Sequence, residues 1–370
     1  MCPLLFENVG NLPVPHTPPR SWAGERPMSS PAQRRCAQVL NEALHEVFAA
    51  REDVFLLGED ILDPYGGAFK VTQGLSDAHP DRVLTTPISE GGMFGVAAGM
   101  SLRGLRPILE IMFGDFIALG MDQIVNGISK FREMYDDQVT VPLVVRTPMG
   151  GRRGYGPTHS QSLEKLLLGV PNICVVAASE CHDLRGLVVN AVEDERPVFL
   201  IENKLMYGRA NRRPEEGHVG ELAVRETGAR YPALSFSGTD FSDDTATVVT
   251  YGGMVPVVLE AATELILEHE IFCEVVALSQ LLPMELDSVL ESVARTGVLV
   301  TAEEGTLTGG FGAEIAARVQ ELAWSDLRGP VRRVASRDGI IPSARPLEDA
   351  MLPGAHDIVE AIVALEAVRS

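Results

Sequence analysis

The chain has 370 residues, 45% hydrophobic and 22% charged, which suits two soluble domains with sizeable cores. Its 31 basic and 51 acidic residues leave a net charge of −20, which argues against nucleic acid or an anionic membrane as the main partner. Five cysteines, at positions 2, 36, 174, 181 and 273, form no CxxC pair, so no zinc site is expected and the thiols read as reduced and intracellular.

Residues 1–31 hold seven prolines and are expected to form a flexible or draped arm. No apolar core follows a basic start there, so no signal peptide is expected. No apolar run reaches the length of a membrane span. Together with the reduced thiols this predicts a cytoplasmic protein. From residue 32 the pattern changes. CAQVLNEALHEVFAA (36–50) spaces Ala37, Leu40, Ala43, Leu44, Val47 and Phe48 as one helical face. VFLLGED (54–60) reads as a buried strand ending in acids. YGGAFKVTQGL (65–75) is a Gly-rich loop entering a short helix, RVLTTPISE (82–90) a strand, and GGMFGVAAGMSL (91–102) a small-residue helix. PILEIMF (107–113) predicts a strand and 115–135 one long helix. PLVVRTP (142–148) is a strand, followed by a Gly-rich loop that leads to His159. Strand 173–179, a helix near 181–193 and strand 197–203 complete the set.

Strands alternating with helices predict a parallel sheet covered on both faces, an α/β fold. The polar stretch 208–244 reads as an interdomain link. A second alternation follows: strand 245–252, helix 254–269, strand 272–278, helix 285–295, strand 298–304, helix 311–323 and strand 331–336. The domains are therefore expected at 32–207 and 245–370.

Ligands of open parallel sheets gather beyond the carboxyl ends of strands. Three such ends carry acids: Glu59-Asp60, Ser89-Glu90 and Glu303-Glu304. Taken singly, each is also readable as a helix cap or a solvated group, and His159 as a hydrogen-bonded structural histidine. Neither GxGxxG nor GxxxxGK[ST] occurs, which excludes the usual self-contained dinucleotide or nucleoside triphosphate sites. Glycines at 309–312 open a helix, where amides can face an anion or the helix can simply pack closely.

Read in order, TPISEGGMFGVAAGMSLRGLRPILEIMFGDF, DQIVN, VPLVVRTPMGG, THSQSLE, ENKLMYG and AEEGTLTGGFGAEIAARV resemble a known family over roughly 34–207 and 245–365. It is the beta subunit of the thiamine-diphosphate-dependent first component of 2-oxoacid dehydrogenase complexes, of pyruvate, branched-chain and acetoin types. The resemblance implies two α/β domains, a transketolase-like pyrimidine-binding domain and a transketolase C-terminal domain. It implies thiamine diphosphate shared with an alpha-type subunit, whose GDG…NN motif holds the diphosphate and Mg²⁺. This chain has no GDG…NN, so a separate partner is required, as α2β2.

The resemblance also implies roles. Glu90 matches the glutamate that faces the pyrimidine ring nitrogen and drives cofactor activation, against a reading as a mere helix cap. Ile88 and Phe116 match residues contacting the aminopyrimidine, against plain core. His159 matches the histidine facing substrate and the lipoyl arm of an acyltransferase. Glu59 matches an acid linked to proton communication between sites, against a structural ion pair. Leu143, Ala191, Val192 and Asp194 match a backbone potassium site, although Arg196 stands where a neutral side chain is usual. SLEKLLLGVP and Gly114 depart from the family pattern, so acyl preference does not carry over. The implied reaction is oxidative decarboxylation of a 2-oxoacid with acyl transfer to a lipoyl group. The rival readings are a split transketolase-like carboligase and a non-catalytic pairing subunit.

Overall fold

The structure is a computed structural model that describes residues 34–369. The proline-rich arm expected at 1–31 lies outside the described residues. In chain order the strands are β1 (Val54–Gly58), β2 (Val83–Thr85), β3 (Arg106–Glu110), β4 (Val144–Met149), β5 (Cys174–Ala177), β6 (Val198–Asn203) and β7 (His218–Val219). They continue as β8 (Leu222–Glu226), β9 (Leu234–Ser237), β10 (Ala246–Tyr251), β11 (Cys273–Leu278), β12 (Gln280–Leu282), β13 (Leu299–Thr306) and β14 (Arg332–Ser336). Two seven-stranded sheets result, ordered β12-β5-β6-β4-β3-β1-β2 and β14-β13-β10-β11-β9-β8-β7.

The first sheet is parallel except for β12, which pairs antiparallel with β5. The second is parallel from β14 to β11 and antiparallel through β9, β8 and β7. The architecture is the expected pair of α/β domains, with both sheets mixed rather than purely parallel. Within the stretch expected as a link, 218–237 forms β7–β9 and extends the second sheet. In return β12, from the second half of the chain, edges the first sheet.

The core runs in layers. One cluster joins the facing sides of both sheets, from Leu57, Leu109 and Val145 to Val249, Val276 and Leu278. A second lies under helices Cys36–Ala50 and Leu184–Glu193. A third lies under helices Val255–His269 and Ala355–Arg369, the latter without counterpart among the expected elements. Each buried Leu, Ile, Val or Phe removed from water contributes about 1.5–3 kcal/mol.

The long helix expected over 115–135 is broken. A 3₁₀ segment (Gly114–Gly120) leads through Met121–Gln123 to a π turn (Ile124–Ile128) and a short helix (Phe131–Met134). The glycines explain this. A Cβ on Gly120 would lie 2.1 Å from the Phe94 ring, and one on Gly114 2.3 Å from Met149 Cγ. Backbone is pressed where side chains would otherwise space it, and glycine weakens a regular helix by up to about 1 kcal/mol relative to alanine.

Candidate active site

β1 is flanked by β2 and β3, with Gly58 opposite both Thr85 and Glu110. The chain steps from β1 to β2 on one side, then crosses to β3 on the other. This reversal opens a crevice at the carboxyl ends of β1 and β3, where such sheets bind ligands. Glu59 immediately follows β1. Glu90 opens helix Glu90–Leu102, where the helix dipole favours a carboxylate. Both are buried, Glu59 at 8% and Glu90 at 5% exposure.

The Glu59 carboxyl is pushed above the usual carboxylate range, first by burial and then by the negative charges of Glu90 and Asp60. Glu59 Oε1 is buried with no hydrogen-bond partner among the described residues. A buried acceptor left unpaired costs about 1–3 kcal/mol. Ile88, two residues before Glu90, is 84% exposed and forms no wall of a closed pocket within this chain.

His159 gathers a second group. Its ring meets Phe113 edge-on at 4.8 Å and Phe116 at 5.2 Å, and its Nδ1 lies 2.9 Å from Thr158 Oγ1. Phe116 is thus placed against His159. Lys204 Nζ lies 5.5 Å from the Phe113 ring and donates to Gly150 O at 2.7 Å. Burial pushes its pKa down to about 8.

Leu143, Ala191, Val192 and Asp194 lie at a strand–helix junction where most of the carbonyls expected to hold potassium already accept hydrogen bonds. The Val192 and Asp194 carbonyls accept from Arg106 Nη1 at 2.7 and 3.2 Å. Leu143 O accepts from Val198 N at 2.8 Å. The Asp194 carboxylate accepts from Arg196 Nε at 3.1 Å and Nη2 at 2.8 Å. Two guanidinium groups already supply the positive charge. Among the described residues no group of three His, Cys, Asp or Glu side chains suits a metal.

Residues 33–209 match the transketolase pyrimidine-binding domain, and residues 239–358 the transketolase C-terminal domain. The pyruvate dehydrogenase E1 component subunit beta of Rickettsia bellii is 36% identical over 88% of this chain and 96% of its own length. This chain belongs to the beta-subunit family of 2-oxoacid dehydrogenase first components. The acetoin:2,6-dichlorophenolindophenol oxidoreductase subunit beta of Cupriavidus necator is 36% identical to it, over 87% of this chain and 94% of its own. A solved split-gene transketolase, described as an inactive beta4 tetramer, aligns with a TM-score of 0.67 at 25% identity, over 89% of this chain and 97% of its own.

Several site residues of this beta subunit escape sequence reasoning. Phe113 and Asp115 stand in the quoted motif without a role, and so does Lys204. Asp115 Oδ1 accepts from Gln161 N and Nε2, at 3.2 and 2.8 Å, which ties the far arm of the His159 loop. Of the acid pair Glu303-Glu304, Glu303 caps helix Phe311–Leu322, accepting from Phe311 N and Gly312 N at 2.8 Å each. That gives the glycine-led helix an internal anion in place of a ligand. Glu304 and Glu348 reach across to the His159 loop. A fully buried Glu348 has no signature in its local sequence.

Proposed function

We propose that Glu90 faces the aminopyrimidine end of thiamine diphosphate in a pocket that an alpha-type subunit completes, within an α2β2 assembly. The reaction is decarboxylation of a 2-oxoacid with transfer of the acyl unit to a lipoyl group on an acyltransferase. The observation that carries this reading is the buried Glu59–Glu90 pair at the crevice, with an unpaired acceptor on Glu59 and bare Ile88 beside it. The bound cofactor supplies the electron sink for loss of carbon dioxide. Glu90 holds and returns a proton at its carboxylate, while burial first, and the charge of Glu90 second, raise the proton affinity of Glu59. His159, held between two phenylalanine edges, offers its imidazole to negative charge developing on the acyl unit.

A partner surface lies next to this edge. Helix Glu90–Leu102 exposes Gly92, Gly95, Val96 and Gly99, and Leu119 beside it is 61% exposed. An apolar, small-residue face admits close approach of another chain. With no GDG…NN in this chain, the proposed reading leaves the diphosphate and Mg²⁺ to that partner.

Turnover of 2-oxoacids with an artificial electron acceptor tests the reading. The protein alone is expected to be inactive, and activity to appear on addition of the alpha-type chain. Full activity and tight cofactor binding by the isolated chain would refute it. The likeness to a split-gene transketolase favours one rival, carboligation without a lipoyl acceptor. Reductive acylation of added lipoyl domain separates the two.

A further inference from the structure

The loop that carries His159 has an unusual backbone. Gly150, Arg152, Gly154 and Gly156 have φ of +95°, +65°, +69° and +77°, and the residues between them do not. Such alternation turns successive N–H groups to one side and makes a concavity for an anion. Here the anions come from the second domain. Glu304 Oε1, on β13, accepts from Gly151 N at 2.6 Å and from Ser162 Oγ at 3.3 Å, so it joins both arms of the loop. Glu348, fully buried in helix Arg345–Asp349, accepts from Arg152 N at 2.8 Å and from Gly154 N at 3.0 Å. Lys204 supplies the opposite charge at Gly150 O. There is no slack: a Cβ on Gly151 would lie 2.7 Å from Leu352 Cδ1 and 3.1 Å from Glu348 Oε1.

Every bond that Glu348 makes here goes to backbone, so it sets the path of the loop rather than the pose of one side chain. A carboxylate without exposure is costly unless fully paired, and apolar packing would serve mere stability as well. What apolar packing cannot do is select this alternating backbone.

We propose that Glu348 and Glu304 of the C-terminal domain are positioning residues for His159, holding its imidazole where acyl transfer requires it. This inference rests on the role proposed above for His159. The test uses the complex reconstituted with the alpha-type chain and reads reductive acylation of a lipoyl domain. His159→Ala depresses that rate. Glu348→Ala lowers it on the order of tenfold or more, the effect of small misplacements of a reacting group. Glu348→Gln keeps one acceptor oxygen and falls between. On the residual rate of His159→Ala, Glu348→Ala has almost no further effect, because it acts through the same group.

Gly154→Ala strains a left-handed residue and brings a Cβ to 3.2 Å from Ser343 O. It gives the same pattern without touching a charge, and it carries the test if Glu348→Ala fails to assemble. The inference is overturned if His159→Ala is impaired while the Glu348 and Gly154 variants run at the wild-type rate. It is equally overturned if their losses multiply that of His159→Ala. A wild-type rate in His159→Ala instead removes the role of the loop itself, and this inference with it.

Discussion

Glu59 and Glu90 lie at the carboxyl edge of the first sheet beside bare Ile88, with a carboxylate oxygen unpaired. Two strands along the same sheet, the His159 loop is tied at Gly150, Gly151, Arg152, Gly154 and Gln161 by the buried Lys204, Glu348 and Asp115 and the half-buried Glu304. One region holds a carboxyl oxygen that no group among the described residues answers. The other is held from within the chain, by Lys204 and Asp115 of its own domain and by Glu304 and Glu348 of the second. The contrast separates a loop preset within the chain from an edge left open, which is where the proposed cofactor and partner subunit would meet it.

The sharpest way to break this contrast is Glu90→Gln. In the reconstituted complex it removes the acid–base group at the open edge, and turnover is expected to fall by about 10²–10⁴. Assembly by size-exclusion chromatography stays intact, because little within the chain depends on that carboxylate. Turnover near wild type would unseat Glu90.

Arg146 tests the closed interior beneath. Its guanidinium donates to Glu202 at two 2.8 Å contacts and to Glu110 at 2.9 Å, with only 2% of the side chain exposed. Arg146→Met strands the buried Glu202 and the half-buried Glu110 carboxylates, and urea unfolding is expected to show a loss of about 3–5 kcal/mol. An unchanged midpoint would mean that those acids neutralise themselves without cost.

Glu164 comes next. Tyr251 Oη lies 2.6 Å from Glu164 Oε1 and 3.1 Å from Glu303 Oε2. One phenolic proton cannot serve both, so a proton on Glu164 completes the set. Burial first, with Glu303 and Glu304 adding, pushes the Glu164 carboxyl from its ordinary 4.5 up to about 7. The folded state then binds the extra proton between those values, so stability is greatest below about pH 5 for this group and falls as pH rises toward 7.5. The swing is at most about 3 kcal/mol. Melting curves at pH 5.5 and 8.0 should differ more for the wild type than for Glu164→Gln. Equal differences would place the titration elsewhere.

The smallest effect concerns potassium. With Arg106 and Arg196 in place, exchanging potassium chloride for choline chloride at constant ionic strength should leave the thermal midpoint unmoved. A potassium-specific rise would restore the cation site.

Much of this arrangement is legible in the residues, and the gaps have physical reasons. Strand–helix alternation marks both sheets, because buried parallel strands are continuous apolar runs. Glu90 and His159 stand in motifs dense enough to recognise. β8, next to the two-residue edge strand β7, escapes because its side chains are only partly covered, and so it lacks an apolar pattern. The broken helix escapes because the contact of Gly120 with Phe94 is tertiary. Glu348 escapes because it meets the loop across about 195 residues of chain, and no local period encodes that.

β12 has a practical corollary. Gln280–Leu282 lies beyond the transketolase pyrimidine-binding match, yet it covers the outer edge of β5. Trimming the gene after residue 209 would strip that edge and bare the apolar side of the sheet that β10 and β11 now shield. The halves are laced together like a mortise and tenon, so they offer no free hinge. In the function proposed above, any opening for a bulky acyl carrier would therefore fall at the seam with the partner subunit.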